Sequence, residues 1–443
     1  MKNKIIIFTL LWGAFMQAQE KNEFTLQEAI DYALKNAYAV QTASDNIKLA
    51  TNRVWETAAI GLPQIDGNIE YQNFLQQQVS LIPSEFFGNP PGEFQPVTFG
   101  TKQNMNAKVT LSQLLFDGSY IVGLQAARTY KKISESGKIK TEFSVKQAVV
   151  NAYANVLLVE ETVLLLEKNK LVLEQNLEQT TKLVENGFGE EQDAEQQQLT
   201  LSAINNDINK TNRYQITAHK LLNISLGLEV DSTVILTNNF EELLLENLDI
   251  GLTQTNFDIT NHIDYLIAEN NKDSQELLVK FEKSKALPSL RAFLNYGSAA
   301  NNSEFDFFQT EQKWYGSSLL GVSMNIPIFS SLQRSSKTQQ AKLNLQIAER
   351  KLTETEQNLK IQVQDARTDY QFAIDNYQNS KENLGLAERI EMKESIKFFE
   401  GISTSFDLTS AQNQLYSRQQ KYLESIQYLI NSKTSLENAL NIK

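Results

Sequence analysis

Two short acidic stretches, 214 residues apart, carry the side chains of this sequence that are best suited to chemistry. The first is LVENGFGEEQDAEQQQL, residues 183–199, and the second is FFEGISTSFDLTSAQNQL, residues 398–415. The residues that match at this offset are Gly187 and Gly401, Asp193 and Asp407, and Gln198 and Gln412. Carboxylates can bind cations, transfer protons or stabilise the first turn of a helix. Each stretch places them just after a glycine.

The composition of the chain excludes several kinds of site. Its 443 residues include no cysteine and two histidines, His219 and His262, and its formal net charge is -12. Disulfides and thiolate sites are impossible, and a multi-histidine metal site is not expected. The motifs G-x-S-x-G, H-E-x-x-H and G-x-x-x-x-G-K-[ST] are absent. We therefore expect no enzyme, no cofactor or metal site and, given the negative charge, no nucleic-acid partner.

The N-terminus has the pattern of a secretory signal peptide. Lys2 and Lys4 precede the apolar run of residues 5–15, which is too short to span a bilayer. Cleavage after Ala18 is predicted, and a retained short anchor is the alternative. No other segment approaches about 20 apolar residues, so we expect no transmembrane helix and any membrane contact must use strands.

The distribution of proline predicts two very long helices. No proline occurs between Pro96 and Pro288 or after Pro327, and proline inside a helix costs about 3 kcal/mol. Residues 119–186 and 333–400 are predicted as nearly continuous helices of roughly 100 Å each at 1.5 Å per residue.

A heptad pattern supports these helices, and it recurs with the offset of the glycines. Its first copy is Val145, Val149, Ala152, Val156, Val159, Val163 and Leu166, and its second copy is Val363, Ala366, Tyr370, Ala373 and Tyr377. Each long helix ends at its glycine. Return helices are predicted over residues 191–228 and 404–441.

Four segments alternate polar and apolar residues as strands do. They are residues 63–72, 105–113, 290–297 and 320–329. In an exported chain, such segments of about ten residues are typical of a membrane β-barrel, although each alone also fits a soluble sheet. The smallest membrane barrels need about eight strands, and open edges in lipid leave backbone groups unsatisfied. Several chains must therefore build one barrel.

The connections between these strands differ in composition. Residues 81–100 are rich in proline, glycine and phenylalanine and predict a long loop, whereas the matching loop over about residues 298–313 is polar. An aromatic belt at the membrane interface is one interpretation of four residues and ordinary strand packing is the other. These residues are Tyr71, Tyr296, Trp314 and Tyr315.

The pattern as a whole predicts an internal duplication. We expect a signal peptide over residues 1–18, a first repeat over 19–228, a connecting segment over 229–261 and a second repeat over 262–443. Each repeat contains a helix, two strands and a long helical hairpin. The expected fold class is mainly α, with long antiparallel helical hairpins and a membrane β-barrel part.

The order of the motifs resembles the TolC family of outer-membrane efflux proteins. The stretches that carry the resemblance are FTLQEAIDYALKNAY, LPQIDGNIEYQ, LLFDGSYIVGLQAAR and the glycine turn, followed by LPSLRAFLNYG, IPIFSSLQRSSKTQQAK and the second turn. The resemblance implies a homotrimer with a twelve-stranded β-barrel in outer-membrane lipid and a periplasmic α-barrel. It also implies a passive exit duct that docks onto an inner-membrane pump through a periplasmic adaptor (membrane fusion) protein, in an efflux or type I secretion system. The connecting segment would lie midway along the tube.

The resemblance gives the glycine turns a role at the periplasmic mouth of the duct. It places Asp407 at a pore constriction that binds cations, with Asp193 as its counterpart. Glu190 and Glu191 add negative charge at the first turn; a replacement for a missing gate group is one interpretation of this charge, and a solvated turn is the other. Ser410 stands where the family example has a second aspartate, and Ser403 where it has a latching arginine. Helix capping is the competing interpretation of both aspartates, and Thr404 with Asp407 fits a capping box.

The same turns are the expected adaptor-docking surface. The residues implied are Gly187, Phe188, Gly189, Gly401, Ile402, Ser403 and Thr404. Phe188 and Ile402 are apolar residues at positions predicted to be exposed, which suits a contact surface. Packing of both side chains back onto their own hairpins is the alternative. A periplasmic coiled-coil scaffold or adaptor without a channel is the alternative function.

Overall fold

The computed structural model describes residues 23–88 and 90–442. These residues form two compact units: residues 23–43, 139–262 and 358–442 make the first, and residues 44–138 and 263–357 make the second, apart from residue 89. Each unit contains residues from both predicted repeats. The predicted signal peptide and its cleavage site lie outside the described residues.

Eight α-helices occur in the described part of the chain. They are α1 (Leu26–Asn36), α2 (Tyr38–Ala59), α3 (Gly118–Glu185), α4 (Glu191–Leu226), α5 (Phe240–Asn247), α6 (Ile263–Ser284), α7 (Gln333–Phe399) and α8 (Ser405–Ala439). The two long helices, α3 with 68 residues and α7 with 67, agree with the prediction to within two residues at each end. The return helices α4 and α8 are confirmed as well.

The longest strands form one antiparallel sheet in the order β2-β5-β7-β8. Their bounds are β2 (Gln64–Asn73), β5 (Gln103–Asp117), β7 (Ser289–Asn302) and β8 (Tyr315–Asn325). All four predicted strands are therefore present. The first strand of each repeat pairs with the second, and β5 pairs with β7 over 14 residue pairs to join the halves of the chain. The outer strands β2 and β8 each have one unpaired edge within this chain.

The prediction for the last strand was too long, because β8 ends at Asn325 and residues 326–329 lie outside it. Pro327 has no N–H to donate to a ladder. The guanidinium of Arg334 also donates to the carbonyl of Pro327 at 2.8 Å and to the hydroxyl of Ser330 at 3.1 Å. These bonds hold the segment in an irregular conformation outside the strand.

The long loop predicted over residues 81–100 contains structure of its own. Strands β3 (Val79–Pro83) and β4 (Phe94–Thr98) form a separate antiparallel hairpin, with a short 3₁₀ helix at Ser84–Phe87. A further two-residue pair, β1 (Glu23–Phe24) with β6 (Ile235–Leu236), is parallel. It ties the start of the described chain to the connecting segment.

The main core of the first unit follows the predicted heptad pattern. Its second copy is fully buried, from Val363 to Tyr377. In the first copy Val145, Val149 and Val156 are buried, while the remaining positions are half-buried. Tyr153 is buried beside this pattern and donates a hydrogen bond of 2.9 Å to the carbonyl of Phe24. Burial raises the pKa of Tyr153 to about 12, so the hydroxyl remains a donor.

The expectation that no segment beyond the N-terminus is apolar enough to cross a membrane was wrong for α3. Among the described residues, this one helix contains an 18-residue stretch with a mean hydropathy of 1.5, of which 33% is buried. The apolar composition has a local explanation, because α3 supplies Val149, Tyr153 and Val156 to the buried core.

Candidate functional site

The first glycine turn closes the end of α3 by a Schellman motif. Gly187 has a φ of +80°, which favours glycine because it has no Cβ. The amide of Phe188 donates to the carbonyl of Leu183 at 2.8 Å, and the amide of Gly187 donates to the carbonyl of Val184 at 2.9 Å. These two bonds satisfy carbonyls that the helix end leaves open.

The second glycine turn repeats this geometry at the end of α7. Gly401 has a φ of +71°. The amide of Ile402 donates to Lys397 at 2.8 Å and the amide of Gly401 donates to Phe398 at 3.0 Å. The prediction that both glycines adopt the left-handed conformation is therefore confirmed.

Each return helix begins with a capping box, but the capping residue differs. In α8, the hydroxyl of Thr404 donates to the Asp407 carboxylate at 2.6 Å, and the amide of Asp407 donates to that hydroxyl at 3.2 Å. In α4 the capping residue is Glu190, and its amide donates to the Asp193 carboxylate at 3.3 Å. Capping is therefore a confirmed role of both aspartates.

The charge around Asp407 is set by its neighbours in the turn. Hydrogen bonds from Thr404, and to a lesser extent the charge of Lys397, hold the pKa of the Asp407 carboxyl below its usual value. Lys397 also forms an ion pair of 3.0 Å with Glu394. This ion pair lowers the pKa of the Glu394 carboxyl. The Ser403 hydroxyl is buried without a hydrogen-bond partner among the described residues.

The remaining candidate gate residues are not brought together within one chain. Glu191 and Ser410 are exposed, in the first and second turns of α4 and α8 respectively. No hydrogen bond or ion pair among the described residues joins either of them to Asp193 or Asp407. A ring of carboxylates requires further copies of the chain and stays a prediction.

Three exposed apolar side chains lie at the two glycine turns. Phe188 is 82% exposed and Ile402 is 70% exposed, so neither packs back onto its own hairpin. Phe406, in the first turn of α8, is 72% exposed and was missed by the sequence analysis. No local sequence rule places it outside, because Ser405, its neighbour in the same turn, is buried. Gly189 lies against the Val184 side chain.

A group of buried polar side chains lies between the turns and the main core. Asn169 donates a hydrogen bond of 2.8 Å from α3 to Gln419 of α8. Two helical turns nearer the hairpin end on each helix are Asn176 and Gln412, both buried. The amide nitrogen of Asn176 is buried without a hydrogen-bond partner among the described residues. The sequence analysis missed this polar group.

The two glutamines that match at the 214-residue offset occupy different environments. Gln412 is buried as the second member, but Gln198 is exposed and its neighbour Gln197 is fully buried instead. Side chains of adjacent residues in a helix point about 100° apart, so Gln197 and Gln198 lie on different faces of α4. The amide atoms of the Gln412 side chain are buried without a hydrogen-bond partner among the described residues. Burial raises the pKa of Glu391 of α7.

The four-stranded sheet of the second unit has one apolar and one polar face. The apolar face carries exposed side chains from every strand: Ile65, Ile69, Val109, Leu294, Tyr296, Leu320, Val322 and Met324. The polar face carries Asp66, Glu70, Asn106, Lys108, Thr110, Arg291, Asn295 and Ser323. An exposed apolar face of this extent is unusual for a protein in water.

The sheet register places only part of the predicted aromatic belt on the apolar face. Tyr71 and Tyr296 lie on this face. Tyr315 pairs with Ala299 and therefore lies on the polar face, which corrects its assignment to the belt. Strand alternation reverses the side with every residue, so Trp314, one residue earlier, is on the apolar side.

Comparison with known proteins gives a family match for part of the chain and several solved structures with the same fold. Residues 261–441 match the family model described as outer membrane efflux protein. The sequence has no significant match among the curated proteins. Solved structures with the same fold include CusC, at 17% identity and a TM-score of 0.75 over 95% of this chain and 92% of that one.

Two further outer-membrane proteins of known organism have the same fold. VceC from Vibrio cholerae is 15% identical, with a TM-score of 0.70 over 94% of this chain and 95% of its own. The CmeC outer membrane channel of Campylobacter jejuni is 17% identical, with a TM-score of 0.70 over 94% of this chain and 85% of its own. The resemblance to the TolC family is thereby confirmed: residues 261–441 match the outer membrane efflux protein model, and the chain has the fold of the solved TolC-like outer-membrane proteins.

Proposed function

We propose that this protein is the outer-membrane exit duct of an efflux or type I secretion system and conducts cargo passively. The observation that carries the proposal is the sheet β2-β5-β7-β8, with its exposed apolar face, its polar face and its two unpaired edges. Lipid requires an apolar outer face and a water-filled channel requires a polar inner one. This sheet supplies both.

The free edges of the sheet support a homotrimer. Four strands cannot close a barrel, and an open edge in lipid leaves N–H and C=O groups without partners. Pairing of β8 with β2 of a neighbouring chain satisfies both edges. Three copies of the four strands then give a twelve-stranded β-barrel, and the long hairpins of the same three chains give the α-barrel.

The hairpin turns are the proposed periplasmic mouth of the duct. Asp407 and Asp193, with Glu190 and Glu191, would surround it with negative charge, while Phe188, Ile402 and the residues next to them would contact a periplasmic adaptor protein. In this proposal the energy for transport comes from an inner-membrane pump, because the chain has no nucleotide-binding or catalytic motif. Adaptor binding favours an open arrangement of the hairpins.

The alternative is a periplasmic scaffold without a channel. The exposed apolar face of the sheet favours the duct, because a protein dissolved in the periplasm would expose that face to water. To distinguish the two, we predict that the protein needs detergent for extraction, has the mass of a trimer and conducts ions in a planar bilayer. A detergent-independent monomer or dimer without conductance would favour the scaffold.

A pair of variants at two glycines of α7 and its turn tests the role of the turns. Gly401→Pro removes an amide that donates to Phe398 and forbids the observed φ of +71°. We expect it to abolish export while trimers and conductance persist. The control is Gly385→Ala, in the interior of α7, where an added methyl group meets only the end of a flexible arginine and export should be unchanged. Normal export by Gly401→Pro would contradict docking through the turns.

A further inference from the structure

We infer that an aromatic cluster, formed by the loop of residues 303–314 folded onto the apolar face of the sheet, binds the lipid headgroup boundary of the membrane. The inference rests on the proposed duct function, since it requires the sheet to lie in a bilayer. It concerns how the strands are held at one depth, and it names outer-leaflet lipid as the partner.

The sheet register defines the position of the cluster. Tyr71 pairs with Met105, and Met105 pairs with Ala300, so these residues form one row across three strands. The pairing of β7 with β8 ends at Ala299 and Tyr315. When the pairing of β7 with β8 is continued by one residue, Trp314 lies opposite Ala300. All four residues of the row lie on the apolar face because alternate residues of a strand share a face.

This row is the border of the apolar face. The next row on the same face is polar and consists of Asn73, Gln103 and Asn302. Both loops at this end, residues 74–102 and 303–314, lie at the strand ends opposite to those that connect to helices. The row therefore stands where an apolar surface gives way to a polar one.

The loop of residues 303–314 covers this row with aromatic rings. Phe307 is only 2% exposed and packs with Met105 and Ala300. The Tyr71 ring lies 5.4 Å from the ring of Phe305 and 5.9 Å from that of Phe307, both edge to face. The composition of the loop is polar overall, so the sequence analysis did not foresee that it folds onto the apolar face.

The cluster presents its remaining rings outward. Phe308 is 82% exposed, and its ring lies 6.1 Å from that of Phe305, which is also exposed. The Tyr71 hydroxyl donates to the Gln103 side chain at 3.1 Å, toward the polar row. Rings with an apolar body and a polar end are typical of the membrane–water interface, where barrels carry aromatic girdles.

The dimensions of the sheet agree with this placement. The apolar face extends along β7 from Ala300 to Leu290, which pairs with Phe116 and Met324 at the other end. Ten residues span about 34 Å along a strand at 3.4 Å per residue. A tilt of roughly 40° reduces this to about 26 Å, close to the apolar band of about 25 Å in membrane barrels. The cluster is then at the border of the band.

Lipid fits this surface better than a second copy of the chain does. Neighbouring copies meet through the free edges of β2 and β8, whereas the cluster lies on the face of the sheet and spans β2, β5 and β7. The surface is also continuous with Ile69 and the other exposed apolar side chains that would contact acyl chains. Closing the barrel therefore leaves the cluster facing outward.

The test uses Trp314 as a fluorescent reporter in the full-length protein. The sequence has three tryptophans, and Trp12 lies in the predicted signal peptide, so Trp55→Phe leaves Trp314 as the reporter. The protein is reconstituted in phosphatidylcholine vesicles brominated either near the headgroup or near the chain ends. We expect Trp314 to lose most of its emission with the shallow bromine and less with the deep bromine.

A matched control moves the indole by one residue to the polar face. The triple variant Trp55→Phe, Trp314→Phe and Tyr315→Trp should keep its emission with both brominated lipids, because Tyr315 is on the face with Ala299. A further variant, Phe305→Ser with Phe308→Ser, should reduce the quenching of Trp314 by shallow bromine. Ion conductance by the same samples establishes that each variant inserts.

The outcomes separate the inference from the proposed function. If the vesicles conduct but Trp314 is not quenched by either lipid, the cluster is covered by protein or lies in water, and the inference is wrong. Stronger quenching by deep bromine would also contradict it. If no sample conducts and no tryptophan is quenched, the duct function fails and the inference fails with it.

Discussion

The hydroxyl of Thr404 and the carboxylate of Asp407 lie 2.6 Å apart at the start of α8. The same carboxylate accepts the amide of Thr404 at 3.1 Å. One aspartate thus closes the start of the helix in the turn where the duct proposal requires a free negative charge. Its two roles can be separated, because capping also depends on Thr404 whereas a pore charge does not.

Removal of the capping hydroxyl should loosen the second turn. Thr404→Ala is expected to destabilise the start of α8 by about 1 kcal/mol. Amide hydrogen exchange of a peptide that covers residues 398–412 should then be about fivefold faster. Thr404→Ser keeps a hydroxyl at the cap and should leave exchange nearly unchanged. Equal exchange rates for the alanine variant and the wild type would contradict the capping role.

Removal of the charge of Asp407 should weaken block of the channel by cations. Asp407→Asn is expected to reduce the block of single-channel current by multivalent cations added from the periplasmic side. Glu400→Gln makes the same change of charge at an exposed residue outside the capping box and should leave the block intact. If both variants behave alike, the effect is one of net charge and the carboxylate ring is wrong.

The pKa of Asp407 predicts how this block depends on pH. Thr404 and Lys397 hold that pKa below its ordinary value of 3.8, so the carboxylate stays charged down to that range. The block should therefore persist from neutral pH to about pH 5 and disappear only at stronger acidity. Loss of the block near neutral pH would assign it to another group.

Two acidic residues of α7 should influence stability in opposite directions as the pH changes. Burial raises the pKa of Glu391, so its contribution to stability is present below its unfolded pKa and is lost as the pH rises through the folded pKa. The pKa of Glu394 is lowered, so its contribution is present above the unfolded value and is lost on acidification.

The corresponding glutamine variants test this difference. In detergent at neutral pH, Glu391→Gln should raise the melting temperature, and the gain should shrink as the pH falls toward 4.5, the ordinary pKa of glutamate. Glu394→Gln should lower the melting temperature at neutral pH and have no effect in acid. Parallel shifts for the two variants would show that burial does not govern the charge of Glu391.

Alanine should be tolerated differently at two glycines with positive φ. A methyl group added at Gly401 would meet open space, so Gly401→Ala should cost only the backbone strain of about 1–2 kcal/mol. At Gly227, a Cβ would lie next to the carbonyl oxygen of Asn36, a backbone atom that cannot easily move. Gly227→Ala should therefore lower the melting temperature much further. Equal losses would mean that α1 does not pack closely against the end of α4.

The sequence alone was sufficient to predict those elements whose conformation is determined by a local rule. Gly187 and Gly401 ended their helices as predicted because only glycine adopts the left-handed conformation without cost. The alternating strands were found because the faces of a sheet differ in polarity. The proline-free stretches gave the long helices to within two residues.

Other features depend on contacts between distant segments, which periodicity does not encode. The phase of α4 on its neighbours decided that Gln197 and not Gln198 is buried. Phe307 became a buried residue only because its loop folds onto Met105 and Ala300. Glu190 was expected to add charge, but the structure uses it as a cap, a place where Ser, Thr, Asp or Asn is usual.

The contact between β5 and β7 predicts the register of the contact between chains. LPQIDGNIEYQ matches LPSLRAFLNYG, so the predicted duplication makes β2 equivalent to β7 and β5 equivalent to β8. In the structure Leu111 pairs with Leu294. The pairings within the two hairpins make Ile69 equivalent to Leu294 and Leu111 equivalent to Met324. The same register between β8 and β2 of a neighbouring copy therefore places Met324 opposite Ile69.

Engineered cysteines test this register, since the natural chain has no cysteine to interfere. Met324→Cys with Ile69→Cys should give disulfide-linked chains under mild oxidation, and reduction should separate them. Asn68 lies next to Ile69 but on the polar face. Met324→Cys with Asn68→Cys should therefore remain unlinked. Efficient linking of this control, or none of the first pair, would contradict the register.

The contact between β5 and β7 also bears on the ancestry of the protein. If the two halves descend from one gene, this contact once joined separate molecules, and gene fusion placed it within one chain. An ancestor of half the length would have needed six identical copies to make the same ring of strands. Fusion allowed the halves to diverge, and the present chain has used that freedom to cap one turn with Glu190 and the other with Thr404.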